Sequence, residues 1–262
     1  SDTTGRYSVA IGHSALENQN FTGNNEAYNV AVGFSAGNDI TTGTNNTLVG
    51  GLAGDAITDA DYNVGVGTGS LGTNVLGSRS TALGTNALFA QNPASAADMY
   101  NVAVGYEAGV AVTTGTENTL VGGLAGDAIT TGLNNLAVGM KALSSDTTGR
   151  YSVAIGHSAL ENQNFTGNNE AYNVAVGFST GSDITTGVEN AIVGALAGDA
   201  LTDSTRNVAV GFSALGTEIS GQYNTAIGWN SLGVQSNSSS TNALNTAVGY
   251  NSGGAVTTGT LN

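Results

Sequence analysis

Cysteine is absent from this sequence, proline occurs once, at Pro93, and lysine once, at Lys141. Without cysteine no disulfide framework can staple the fold, and thiolate chemistry is excluded. Charge is scarce as well: 9% of residues are charged, against about 25% in typical soluble domains. Five basic residues face 19 acidic ones, a formal net charge of −14. Nucleic acid is therefore not an expected partner, because no basic footprint exists to neutralise phosphates. Anionic membrane surfaces are disfavoured for the same reason. No run of about 20 apolar residues is present, so no membrane insertion by this segment is expected. No basic-then-apolar leader opens the chain, which reads as a mature protein or a fragment.

Glycine and small residues fill the gap. There are 40 glycines among 262 residues, while 40% of the chain is still hydrophobic. The glycines are regularly spaced. The motif Asn-(Val/Thr)-Ala-(Val/Ile)-Gly recurs, closing on Gly12, Gly33, Gly50, Gly67, Gly84, Gly105, Gly122, Gly139, Gly156, Gly177, Gly194, Gly211, Gly228 and Gly249. The gaps are 21, 17, 17 and 17 residues, a super-repeat of 72. Residues 1–35 reappear unchanged as 145–179. A fixed period of this length marks a repeat architecture.

Each column around the anchor glycine has its own chemistry. The residue before it is always Val, Ile or Leu, and the one before that is mostly Ala. Side chains alternate across a strand, giving a β-branched face and a small-residue face. That alternation suits a strand packed on both sides. The apolar runs are too short for helices and are flanked by Gly and Asn. The expected fold is all-β: a parallel β-solenoid of 17- and 21-residue coils, each with two short strands and two turns. About fourteen coils, one per anchor glycine, form a single continuous segment over residues 1–262, a rod about 60 Å long. Asn262 falls where the next motif's Asn belongs, so a segment of a longer fibre is expected.

Four residues before the glycine stands a column of asparagines: Asn29, Asn46, Asn63, Asn101, Asn118, Asn135, Asn173, Asn190, Asn207, Asn224 and Asn245, with Ser8, Ser80 and Ser152 completing it. Stacked amides can bond along the rod, each to the next, so this column is read as a structural ladder. A thin coil lined by Ala and Gly buries little apolar area. Packing one long face against identical copies answers this, and the expected partner is self, as a homotrimer.

Ser8-Val9-Ala10-Ile11-Gly12-His13-Ser14-Ala15 and its copy at 152–159 resemble the head repeats of trimeric autotransporter adhesins of the YadA type. Asn224-Thr225-Ala226-Ile227-Gly228 and Thr113-Thr114-Gly115 are similar to repeats of bacteriophage tail-fibre proteins. The resemblance implies a left-handed parallel β-roll, trimeric and extracellular, on a virion tail or bacterial surface, acting in attachment. The coils here are longer than those of the adhesin heads, and neither a heptad stalk nor a membrane anchor is present in the sequence.

Every fourth coil is four residues longer. The inserts fall at 17–28, 89–100, 161–172 and 233–244. Extra residues in solenoids become loops on one face, often the binding face. Asn20, Phe21, Asn92, Pro93, Asn164, Phe165, Asn237 and Ser238 are thus candidate contacts to a cell-surface glycan or protein receptor. The residue after the glycine is often bulky (His13, Phe34, Tyr106, His157, Phe178, Phe212, Trp229, Tyr250), which reads as packing between copies, with sugar stacking as the alternative. Asp55, Asp127 and Asp199 recur in Gly-Asp pairs without the spacing of a calcium repeat. No phosphate loop or nucleophile–base arrangement is evident, so neither enzyme activity nor a cofactor or catalytic metal is expected. The expected function is an extracellular attachment fibre; a purely structural filament is the alternative. Ice binding, prompted by Thr-Thr-Gly triplets, fails because adjacent threonines point to opposite sides of a strand.

Overall fold

The computed structural model describes residues 5–21, 26–167 and 169–262. The chain forms two compact units, residues 1–132 and 133–262. The first contains β1 (Val9–Ile11), β2 (Val30–Val32), β3 (Thr47–Val49), β4 (Val64–Val66), β5 (Gly77–Ser78), β6 (Thr81–Leu83), β7 (Ala97–Asp98), β8 (Val102–Val104) and β9 (Thr119–Val121). The second contains β10 (Leu136–Val138), β11 (Val153–Ile155), β12 (Val174–Val176), β13 (Ala191–Val193), β14 (Val208–Val210), β15 (Gly221–Gln222), β16 (Thr225–Ile227), β17 (Thr241–Asn242) and β18 (Thr246–Val248). No described residue is helical.

In each unit the three-residue strands that precede an anchor glycine pair in parallel, each with the next coil's. Register follows the motif: Val9 lies opposite Val30, Ala10 opposite Ala31 and Ile11 opposite Val32, and the same columns match in Val208–Thr225, Ala209–Ala226 and Val210–Ile227. The protein is a parallel β-solenoid, as the period predicts. It has one regular strand per coil, not two. Among the described residues the second strand exists only beside inserts, where β5 pairs β7 and β15 pairs β17.

The reason lies in the rest of the coil. The positions five before, two after and four after each anchor glycine adopt left-handed backbone angles. Tyr62, Leu52 and Leu71, at φ 58°, 58° and 54°, are examples. Left-handed residues turn the chain and cannot continue a strand. Coil-to-coil hydrogen bonds persist through the turns: Leu52 N–H donates to the Phe34 carbonyl at 2.8 Å and Asn45 N–H to Ala27 at 2.8 Å. Stacking thus holds in place what each turn alone would disfavour.

Two columns take turns in filling the interior. Coils with Leu four after the glycine, such as those of Leu71, Leu88, Leu143, Leu160 and Leu215, bury that leucine fully. Coils with Gly there bury instead the residue seven after, such as Ile40, Ile57, Ile129, Ile184 or Leu201. A Cβ on Gly54 would lie 2.7 Å from Leu48 Cδ2 and 2.8 Å from Ile57 Cδ1, so that glycine is the space its neighbours occupy. The Ala, Leu or Ile at the strand centre completes the core: Ala31, Leu48, Ala103, Leu120, Ala154 and Ile192 are fully buried.

The strand is packed on one side only. Its centre faces inward, and its two flanking residues face outward and are half-buried or exposed in most coils. Packing on both sides, expected from the alternation, is therefore not found within the chain. The coil interior is narrow enough that the small side chain, not the β-branched pair, points in.

Candidate functional site

The asparagine column is buried throughout. Its bonding differs from an amide-to-amide ladder. Asn46 Oδ1 accepts the backbone N–H of Asn63 at 3.0 Å, and Asn46 Nδ2 donates to the Ala60 carbonyl at 2.8 Å. Asn190 repeats this with Asn207 N–H at 3.0 Å and the Ser204 carbonyl at 2.9 Å. Direct amide–amide contacts are longer, 3.4 Å between Asn46 and Asn29 and 3.1 Å between Asn190 and Asn173. Each side chain thus clamps the next coil's backbone. Asn29, Asn63, Asn101, Asn118, Asn135, Asn173, Asn207 and Asn245 make the same Nδ2-to-carbonyl bond. Asn224 keeps only the acceptor half, taking Asn245 N–H at 3.2 Å.

Where serine replaces asparagine, a glutamine seven after the glycine supplies the missing reach. Gln91 Oε1 accepts from Ser80 Oγ at 3.0 Å and from Asn101 Nδ2 at 3.0 Å. Gln163 serves the corresponding pair with the bond to serine reversed: its Nε2 donates to Ser152 Oγ at 2.8 Å and its Oε1 accepts from Asn173 Nδ2 at 2.9 Å. Gln163, and Gln235 at the same position of a coil that keeps its asparagine, sit beside buried carboxylates. Gln163 Nε2 donates to Asp146 Oδ2 at 2.7 Å, and Gln235 Nε2 to Glu218 Oε2 at 2.6 Å. Glu218 Oε1 also accepts the backbone N–H groups of Gly221 at 2.7 Å and Asn237 at 3.0 Å.

The inserts are tied down at both ends. Arg150 forms a parallel backbone β-bridge with Glu170, and the Arg79 side chain pairs with Asp98 at 2.9 Å. Tyr172 donates to Glu170 at 2.9 Å. Phe21, Pro93, Phe165 and Asn237 are buried, so a receptor cannot reach them in this arrangement; they are anchors. Asn237 Nδ2 donates to Glu218 Oε2 at 2.9 Å. Asn20, Asn92, Asn164 and Ser238 are exposed. Residues 22–25 of the first insert and 168 of the third lie outside the described residues.

A continuous feature of each unit is the outward face of its sheet. Three columns build it: the residues three before, one before and one after each anchor glycine. None of them is Asp, Glu, Lys or Arg, in a chain of net charge −14. Val66, Leu83, Val193, Val210 and Ile227 are 36–40% exposed there, Phe178 55% and Trp229 46%. The aromatic rings stack on one another: Phe212 on Trp229 at 6.3 Å, Trp229 on Tyr250 at 4.9 Å, His157 on Phe178 at 5.4 Å. Trp229 is covered on both faces. Its ring turns an edge outward, a geometry suited to packing and unsuited to stacking on a sugar.

Among the described residues there is no pocket, and no group of three or more His, Asp or Glu close enough to hold a metal ion. No helix is long and apolar enough to cross a membrane. His13 and His157 lie in different units. Asp55 and Asp199 are each raised above the usual carboxylate range, by burial first and then by Asp39 and Asp183 respectively. Burial also raises Asp146, against hydrogen bonds from Gln163 and Gly149 that lower it.

A raised folded pKa has a definite consequence for stability. The contribution of such an acid is fully present below the unfolded pKa, about 4, and is lost as pH rises through the folded value. Replacing Asp146 with Asn removes its share of that loss. Asn74 shows that the amide fits the equivalent site, donating to Gly77 O at 2.7 Å and accepting Gly77 N–H at 2.9 Å. Asp146→Asn is expected to flatten the decline in melting temperature between pH 4 and pH 7, and to melt no lower than wild type at pH 7. A decline as steep as wild type's would assign it to other groups.

Comparison with known proteins leaves the class to rest on the fold: no family model, curated protein or solved structure matches this chain. The molecule is a repetitive parallel β-solenoid with an uncharged outward sheet face.

Proposed function

We propose that this chain is a structural segment of an extracellular attachment fibre, of the kind found in phage tail fibres and trimeric surface adhesins, assembled as a homotrimer through its outward sheet faces. One observation carries the reading: three columns free of Asp, Glu, Lys and Arg, apolar but for threonines and two histidines, stand half-exposed or exposed in a strongly acidic chain. Elsewhere like charge repels a second copy; here it does not. The β-branched ridges repeat at the strand spacing, about 4.8 Å, and another copy of the same repeat has ridges of matching pitch. Extended apolar faces on soluble chains mark interaction surfaces. The exposed insert residues Asn20, Asn92, Asn164 and Ser238 are the proposed contacts to a surface glycan or protein receptor.

Sedimentation and light scattering test the assembly. Wild type should show three times the chain mass, and Val210→Lys, which buries a charge in that face, should shift it to the single-chain mass with unchanged circular dichroism. A single-chain mass for wild type would refute the proposal. A second reading, a filament without a receptor, is favoured by the buried insert anchors Phe21, Pro93, Phe165 and Asn237. Exchanging residues 94–96 for 238–240 separates the two: an attachment fibre changes its surface preference, a filament does not.

A further inference from the structure

We infer that Leu52, Leu124 and Leu196 are the side chains by which one copy of this chain holds another. The inference rests on the proposal that copies meet through the outward sheet face. All three leucines stand two residues after an anchor glycine, in the third coil of each super-repeat. In the other eleven coils that position holds Ser, Asn, Gly, Glu or Lys, never an apolar side chain. Neither the backbone nor the core asks for leucine here. The three adopt φ of 58°, 57° and 56°, left-handed angles that suit Gly and at times Asn or Asp, not Leu. Leu71 and Leu88 are left-handed too, at 54° and 49°, but full burial accounts for them. Leu52 is 42% exposed, and Leu124 and Leu196 are half-buried.

The residue before each leucine is small, Gly51, Gly123 and Ala195, where the same column elsewhere carries rings such as Phe34 and Tyr106. Beyond its chain neighbours, nothing lies within 4 Å of where a Cβ on Gly51 or Gly123 would stand. Each leucine thus borders a gap in the uncharged face, open to a side chain from outside. The pitch selects the partner. Leu52 and Leu124 are four coils apart, about 19 Å along the first unit. A partner that meets both must repeat at that distance, and a second copy does, in every column. The same period fixes which coils face each other. Sliding by one coil, about 4.8 Å, keeps the Val, Ile and Leu ridge matched but carries each leucine to a different site on the neighbour. The third version of this coil has diverged, with Thr47, Leu48 and Gly51 answered by Ala191, Ile192 and Ala195, yet leucine stays at Leu196.

Sedimentation velocity over a concentration series, with circular dichroism and urea melts, compares wild type with three variants. The first combines Leu52→Ser, Leu124→Ser and Leu196→Ser; the second is Leu124→Ser alone. Serine already stands at this position at Ser14, Ser35 and Ser213 with the same backbone angles, so both should keep the fold. The third, Ile219→Ser, is the control: Ile219 is 38% exposed and lies eight residues after its glycine, outside the columns of the face. Wild type should assemble. The triple variant should keep its circular dichroism and associate about a hundredfold or more weakly, because each leucine loses the gain from burial. Leu124→Ser alone should associate about tenfold more weakly, and decides the matter if the triple variant melts below wild type. Ile219→Ser should associate like wild type. Leucine variants that associate like wild type overturn the inference and leave the assembly standing. A control weakened as much as Leu124→Ser overturns it as well. A wild-type single-chain mass overturns the assembly, and the inference with it.

Discussion

Gly50→Ala is expected to destabilise the chain by about 3–5 kcal/mol, combining backbone strain with overpacking. At Gly50 φ is +136°, outside the regions an L side chain adopts. The added Cβ would also lie 2.6 Å from the carbonyl oxygen of Gly67 and 2.7 Å from its carbon. That atom is backbone, held by its own coil, and cannot step aside as a side chain would. Relief would require the coils to separate, breaking the bond from Gly67 N–H to Val49 O, 2.8 Å long, and its neighbours. The next residue supplies the control. Gly51 has open space around its Cβ position, and Gly51→Ala should change stability by no more than about 0.5 kcal/mol. Urea melts of both variants, with hydrogen exchange at Gly67, give the comparison. Equal melts would mean that the stacked glycines are not the constraint that fixes coil spacing.

The anchor glycines made the period, the strand positions and the parallel stacking readable from sequence, because few other residues tolerate that site. The turns were not readable in the same way. Tyr7, Glu117, Arg206 and Leu244 adopt φ of 62°, 59°, 58° and 55°, although none of these residue types favours it. Only their equal distance from the glycine betrays them. The outward face was legible as one of two alternating faces, but alternation does not say which face turns inward. The usual preference for burying the larger side chains points the wrong way here, since the coil has room at its strand centre for Ala31 or Ala103 and at most for Leu48 or Leu120. The order of Leu and Gly four after the anchor was visible in the sequence; its meaning lies in the residue three further on, where Ile57 or Gln91 answers it. Phe21, Pro93, Phe165 and Asn237 looked like loop tips because composition marks them as part of an insertion, while their burial depends on the coil beneath.

Asn190→Ala should cost about 3 kcal/mol or more, because each buried polar group left unpaired costs roughly 1–3 kcal/mol. Asn190 is 1% exposed. Its loss removes the acceptor for Asn207 N–H, at 3.0 Å, and the donor to the Ser204 carbonyl, at 2.9 Å. Asn190→Ser tests the mechanism more sharply. Serine occupies this column naturally at Ser80 and Ser152, but only where Gln91 and Gln163 reach back to it. In the coil of Asn190 the glutamine's place is taken by Leu201, fully buried and apolar. Asn190→Ser should therefore be nearly as damaging as Asn190→Ala. Thermal and urea melts of the two variants decide it. If Asn190→Ser melts like wild type, the column needs only a small polar group at each step, and the backbone clamp described for asparagine is not what holds successive coils in register.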